Sequence, residues 1–307
     1  MSDFQHIMVM GAGAVGGYFG GCIAERTGTK VTLIARGAHL EALKENGLII
    51  RNGEEERRIK VRAYEDPQRV EKPELILFTV KSYDTEVAIK QIEPAVTGAT
   101  QILTLQNGIE NYPKLVDAFG PERVIQGFCK IGAGVAEPGV VEHNAFGSVT
   151  VGEQDGAVTG RIKKVEALFN EASVPVRIST EITREVWLKF SWNCILNMVT
   201  AAADITVEKI FTDKEGERLC YHLFDEVQSI AGMEGVKLKD EDGKQIIESS
   251  KKLTGFETST YQDRQKGKKM EYEAFTGAIL RLADKHGLNV PYNETLYALL
   301  KLIDRDG

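Results

Sequence analysis

Lys189, Asn193 and Asn197 recur at intervals of four within the stretch WLKFSWNCILN, whose other members are mostly large and apolar. Positions four apart share one face of a helix. The spacing therefore predicts a helix with a body fit for burial and one polar stripe, made of an ammonium and two amides. Burying such groups without partners would cost roughly 1–3 kcal/mol apiece. A small polar ligand lying against the stripe is the economical expectation. A snorkelling lysine and bridging asparagines would explain one such residue better than three stacked ones.

A second set of residues points to phosphate chemistry. The run HIMVMG leads into GAGAVGGYFGG, in which Gly11, Gly13 and Gly16 fit G-x-G-x-x-G at a strand-to-helix turn. The first glycine permits the tight turn, the second lets backbone approach a pyrophosphate, and the third lets helix and strand pack closely. The helix that follows offers unpaired N–H groups and a positive dipole end. The segment from Gly11 through Ala12, Gly13, Ala14 and Val15 to Gly16 is thus the expected dinucleotide cradle. An NAD site usually has a carboxylate at the end of the next strand, for the ribose 2′-hydroxyl. Here that place holds Arg36, whose guanidinium suits a 2′-phosphate, so the expected cofactor is NADP(H). Two further strand ends supply polar residues, Lys81 after FTV and Asn107 after TLQ.

These residues need elements to hold them. Short apolar runs alternate with helical patterns through the first half: strands at 6–11, 30–36, 58–64, 74–82 and 101–108, with helices between them. This order predicts an α/β fold of Rossmann type, a doubly wound parallel sheet with right-handed crossovers. The segment 123–153 reads as several strands separated by glycines and the turn signal EPGVVEH, followed by a helix over 160–172 and one more strand at PVRIST. Beyond about residue 179 nearly everything has helical period, including 184–203 as one helix. The expected division is a dinucleotide-binding domain over 1–179 and an all-helical substrate and catalytic domain over 180–307.

Composition narrows the function classes. The 307 residues carry a net charge of −7, which disfavours general binding of nucleic acid or acidic membranes. The basic run RQKGKKM is short and reads as a solvated loop. Four dispersed cysteines and five histidines form no ligand spacing, so neither a metal nor a disulfide framework is expected. No apolar run approaches the ~18 residues of a membrane helix, and no leader is expected before the first strand. A cytoplasmic protein is expected. The sequence does not fix oligomeric state; a homodimer is one state it allows.

Taken together, GAGAVGGYFGG, the strand ending in Arg36, TVKSYDT around Lys81, LQNG at Asn107, WLKFSWNCILN and TSTYQDRQKGKKMEYEAFTG resemble the ketopantoate reductases (2-dehydropantoate 2-reductases) along essentially the whole chain. The resemblance implies an N-terminal dinucleotide-binding domain, a helical C-terminal domain and an active site between them. It makes Lys189 the catalytic proton donor and Glu271 the glutamate near that lysine and the cofactor. Asn193, Asn197 and Ser259 become substrate ligands, and Asn107 a contact to both cofactor and substrate. The implied activity is NADPH-dependent reduction of 2-dehydropantoate to pantoate, on the pantothenate route toward coenzyme A. Two departures concern substrate fit: the family often has a proline after the second asparagine and another asparagine further on, where this chain has Met198 and Ile205-Thr206-Val207. A reductase of another small 2-keto acid on the same scaffold is the alternative. A non-catalytic NADP(H) sensor is a third reading, against which an intact Lys189 and Glu271 argue.

Overall fold

The computed structural model describes residues 4–304. The chain divides into two compact units, one running to Asn107 and resuming over Asn111–Ile182, the other made of Gly108–Glu110 and the residues from Thr183 onward.

The first unit contains, in order, β1 (His6–Met10), α1 (Ala14–Arg26), β2 (Lys30–Ile34), α2 (Gly37–Asn46), β3 (Leu48–Asn52), β4 (Glu55–Ile59), β5 (Arg62–Tyr64), β6 (Leu75–Phe78), α3 (Thr85–Ile92), β7 (Gln101–Thr104), α4 (Asn111–Phe119), β8 (Val124–Glu137), β9 (Val140–Gly152), α5 (Gly160–Glu171) and β10 (Val176–Ile178). The strands form one sheet in the order β4-β3-β9-β8-β7-β6-β1-β2-β5, with β10 paired to β9. From β5 to β8 every neighbour is parallel. Alternation along β1 shows why helices cover both faces. Ile7 and Val9 enter a core with Phe19 and Ile23 of α1 and Phe169 of α5. Met8 and Met10 enter another with Ile92 of α3 and Leu115 of α4. Successive side chains of a strand point to opposite faces, so an apolar run of this kind needs both covered.

The sheet differs from the expectation in three places. Residues 123–153 form not several strands but one long hairpin, β8 and β9, turning at Gly139 (φ +80°) and bent by register shifts along its length. Its interior glycines mark irregular pairing rather than strand ends. The stretch 58–64 is split between β4 and β5, which lie at opposite ends of the sheet. Leu48–Asn52 is a strand too, antiparallel to β4, so the sheet is mixed beyond its parallel half.

The second unit is helical: α6 (Ile182–Trp192, beginning on the first unit's last residue), a π-helical turn (Asn193–Asn197), α7 (Met198–Ala203), α8 (Val207–Ile210), α9 (Lys214–Met233), α10 (Asp240–Ser250), α11 (Ser259–Gln265), a 3-10 turn (Tyr272–Ala274), α12 (Thr276–His286) and α13 (Pro291–Ile303). The single helix expected over 184–203 is therefore interrupted by a π turn. No described helix is long and apolar enough to cross a membrane.

The helix that follows the π turn, α7, packs against α13, whose start is fixed by a carboxylate from another helix. Pro291 has no N–H to offer, and the next amides are those of Tyr292 and Asn293. Both donate to Glu226 of α9, at 2.8 and 2.9 Å, and the Asn293 side-chain amide adds a bond of 2.8 Å. Glu226 is buried, so removing it strands three donors. Glu226→Ala should lower stability by roughly 1–3 kcal/mol for each donor that water cannot reach. In urea unfolding, the midpoint should fall while the slope stays unchanged; an unmoved midpoint would remove this carboxylate from the scaffold.

Candidate active site

In the first unit the glycine turn follows β1 as the motif requires. Gly11 has φ +95°, a conformation that L side chains rarely adopt, and a Cβ there would stand 2.8 Å from the Val80 backbone nitrogen. A Cβ on Gly16 would stand 2.3 Å from the Gly11 carbonyl oxygen and 2.4 Å from Thr79 Oγ1. A Cβ on Gly13 would meet nothing within 4 Å. Gly11 and Gly16 are thus required by the fold, whereas the space at Gly13 is left for something else.

Two side chains set the direction of the loop's peptides. Thr79 Oγ1 donates to the Gly11 carbonyl at 2.9 Å. His39 donates through Nε2 to the Ala12 carbonyl at 2.8 Å and accepts from the Gly139 amide at Nδ1, 3.0 Å. In a trans peptide the N–H points away from the carbonyl, so the Gly13 amide faces away from His39. Beyond it come the first amides of α1, which an α-helix cannot satisfy internally. The N-cap makes no side-chain hydrogen bond, and the first turn has no acidic residue. The result is a row of open donors at a positive helix end, suited to a pyrophosphate. The residues present therefore fit a dinucleotide.

The strand ends around this loop carry the other candidates. Arg36 follows β2, and its Nη2 donates to Asp84 Oδ2 at 2.9 Å. Lys81 follows β6 and opens a 3-10 turn, Ser82–Asp84. Asn107 follows β7, and its carbonyl accepts from the Asn111 side-chain amide at 2.7 Å. A buried network joins these two loops. Gln106 Nε2 donates to the Val80 carbonyl (3.0 Å) and to Thr85 Oγ1 (2.8 Å), and Thr85 donates to Asn111 Oδ1 (2.9 Å). Lys81 and Asn107 are thereby anchored through shared neighbours.

In the second unit the polar stripe crosses the junction of α6 and the π turn. Lys189 is half-buried on α6; Asn193 and Asn197 open and close the π turn and are 4% and 1% exposed. An α-helix turns about 100° per residue, so eight residues on from Lys189 a side chain would have drifted about 80° around the axis. A π turn takes up one more residue per turn and carries the Asn197 position back toward the azimuth of Lys189. The π turn thus keeps the three residues of the stripe on one line.

Asn197 sits beside Ser259. Its Nδ2 donates to Ser259 Oγ at 3.1 Å and Thr260 Oγ1 at 3.3 Å. Thr200 and Thr258 share a hydrogen bond of 2.8 Å, and Thr200 also donates to the Leu196 carbonyl at 2.7 Å. Arg264 reaches the Ala202 carbonyl at 3.2 Å. The start of α11 is thus stapled to the π turn and α7. Yet Asn193 Nδ2 and Asn197 Oδ1 are buried with no partner. Buried polar atoms are rarely left unpaired, and here one donor and one acceptor of a single turn are left open, as are Glu208 Oε2 and Asn293 Oδ1 elsewhere in the unit. Burial pushes the thiol of Cys194, between them, well above its ordinary range, so it stays protonated and inert. Glu271 is buried immediately before the 3-10 turn Tyr272–Ala274.

Sequence reasoning missed Thr79, His39, Asp84, Thr258 and Thr260. Their contribution depends on which loops meet, and only the threonines flanking Ser259 in TST carried a local signal. Among the described residues, no group of three or more His, Cys, Asp or Glu is arranged to hold a metal ion.

The two glycines separate experimentally. Gly13→Ser, whose hydroxyl can cap the open amides, should hold or raise Tm while weakening dinucleotide binding at least about tenfold. Gly16→Ala should instead lose about 1–3 kcal/mol of stability. Fluorescence titration with reduced dinucleotide, beside thermal melts, reads both. Parental affinity in Gly13→Ser would show that the loop is not the cradle.

The comparisons agree along the whole chain. Residues 7–156 match the family described as "Ketopantoate reductase PanE/ApbA", and residues 181–304 match "Ketopantoate reductase PanE/ApbA C terminal". A 2-dehydropantoate 2-reductase of Halobacterium salinarum is 31% identical over 305 residues, covering 99% of this chain and 100% of that protein. One of Pyrococcus horikoshii is 31% identical over 295 residues, with 96% of each covered. The crystal structure of a PanE/ApbA family ketopantoate reductase from Ralstonia eutropha superposes with a TM-score of 0.90 at 32% identity, covering 97% of this chain and 98% of that one. Both matched segments, together with the glycine turn and the helical polar cluster, place this chain in the ketopantoate reductase family of oxidoreductases.

Proposed function

We propose that the protein reduces 2-dehydropantoate to pantoate with NADPH, the reductive step on the pantothenate route toward coenzyme A. The observation that carries the substrate is the pair of open atoms in the π turn. Asn193 Nδ2 needs an acceptor and Asn197 Oδ1 needs a donor. A keto acid with only its ketone and carboxylate offers acceptors alone. 2-Dehydropantoate adds a hydroxyl, which supplies the donor. The cofactor assignment rests on Arg36 standing where a carboxylate would select NAD.

A dinucleotide held by its pyrophosphate at the glycine cradle would supply the hydride from its reduced nicotinamide. The chain's own groups handle the rest. Ser259 and the two asparagines hold the substrate's carboxylate and hydroxyl. As the ketone carbon accepts hydride, negative charge develops on its oxygen. Lys189, as an ammonium, stabilises that charge and transfers a proton from Nζ to the oxygen, giving the alcohol. Glu271 is assigned to favour the charged form of the lysine. Asn107 and Lys81 are assigned to the cofactor.

The test is loss of absorbance at the reduced nicotinamide band, with NADPH or NADH, over 2-dehydropantoate, 2-oxoisovalerate and pyruvate. The two latter acids lack the hydroxyl, and kcat/KM should fall at least about a hundredfold for them. A higher kcat/KM for either would overturn the substrate assignment. Lys189→Ala should lower kcat by about 10²–10⁴-fold while the Kd for reduced cofactor changes less than about twofold. Lost cofactor binding with an undiminished rate per bound cofactor would refute the proton-donor role.

A further inference from the structure

Arg36 is 77% exposed at its side chain, and Asp84 is the one carboxylate within ion-pair reach of it among the described residues, at 2.9 Å. The pair crosses the fold at a particular place. Arg36 leaves β2 and Asp84 ends the 3-10 turn after β6, and these strands are the two parallel neighbours of β1. The bond therefore runs over the carboxyl end of the strand that carries the glycine turn.

Asp84 has a second use available and does not take it. It occupies the N-cap of α3, where an aspartate ordinarily accepts from the first amides of the helix, yet its side chain makes no capping bond. Its carboxylate is turned to Arg36 instead. A guanidinium so occupied presents a nearly neutral pair to an incoming ligand. A phosphate dianion that binds Arg36 gains one attraction and meets one repulsion a few ångströms further on.

We propose that Asp84 is a specificity-determining residue which restrains the preference for the 2′-phosphorylated cofactor by neutralising Arg36 and repelling the phosphate. The inference rests on the assignment of Arg36 to the 2′-phosphate. It adds that the strength of selection is set by the pair and not by the arginine alone. Asp84 contributes nothing toward a ribose that lacks the phosphate.

Adenosine 2′,5′-bisphosphate and 5′-AMP differ only in that phosphate and need no turnover. Calorimetric titration of both into the parent protein, Asp84→Asn, Arg36→Gln and the double variant tests the proposal. Asparagine keeps the shape and the capping ability of Asp84 without its charge. Asp84→Asn should tighten the bisphosphate about three- to tenfold and leave 5′-AMP within about twofold. That gain should vanish in the Arg36→Gln background. Equal tightening of both ligands would show a general charge effect, and weakened bisphosphate binding would make Asp84 a splint for Arg36; either overturns the proposal. Arg36→Gln reports separately: if it leaves bisphosphate binding unchanged, the assignment of Arg36 fails and takes the proposal with it. If Arg36→Gln weakens the bisphosphate selectively while Asp84→Asn changes nothing, the Asp84 proposal alone fails.

Discussion

Part of the face that α1 turns toward the sheet has no room for a side chain. A Cβ on Gly17 would come 2.8 Å from Val141, one on Gly20 2.8 Å from Val9, and one on Gly21 2.6 Å from Leu48. With Gly16, these positions form one helical face, and each glycine gives up about 1 kcal/mol of helix propensity relative to alanine. Such a helix persists because bare backbone can lie against β1, β2 and β3 where nothing larger could. That closeness brings the amino end of α1 onto the end of β1. A single methyl at Gly16 would press on the Gly11 carbonyl, the atom that Thr79 secures.

The helical unit solves a different problem, because its functional groups are side chains rather than amides. Asparagines inside an apolar helix would ordinarily turn to the backbone or to one another. Here Thr258, Ser259 and Thr260 at the start of α11 meet Asn197 and Thr200 and take up part of their hydrogen-bonding capacity. What they leave over is one donor and one acceptor in the π turn. Single π turns inside α-helices are frequent at functional sites, and the geometry gives the reason here. A continuous α-helix would spread the stripe around the axis.

Much of this was legible in the sequence because periodicity reports burial. The parallel strands read as continuous apolar runs, α1 begins at the glycine motif, and Gly47 ends α2 with φ +75° as a C-capping glycine should. Two kinds of feature were not legible. Bulges keep β8 and β9 paired through positions that look like strand breaks, since pairing depends on the partner strand and not on local propensity. The π turn has the same composition as a helix and differs only in hydrogen-bond register. The departures from the family pattern also find their place. Met198 is fully buried in the apolar core of the helical unit and donates its amide to the Ile195 carbonyl, a bond that proline could not make. Thr206 is occupied with Glu208 at the start of α8. The first position serves packing and the second a side-chain hydrogen bond beside α8.

A common logic joins the two sets of groups. In each, the atoms left open are aimed by atoms that are closed. The Gly13 amide is directed by the grip of His39 on the Ala12 carbonyl, and His39 is itself fixed by the Gly139 amide at its other nitrogen. Asn197 Oδ1 is directed by the bonds of its own Nδ2 to Ser259 and Thr260. A polar group held in this way need not reorganise when a ligand arrives, which is where preorganised sites gain over water. Such sites are also sensitive to residues that touch no ligand, because a loosened closed atom frees the open one to turn. His39 and Thr260 therefore matter as much, each within its own unit, as the open atoms they aim.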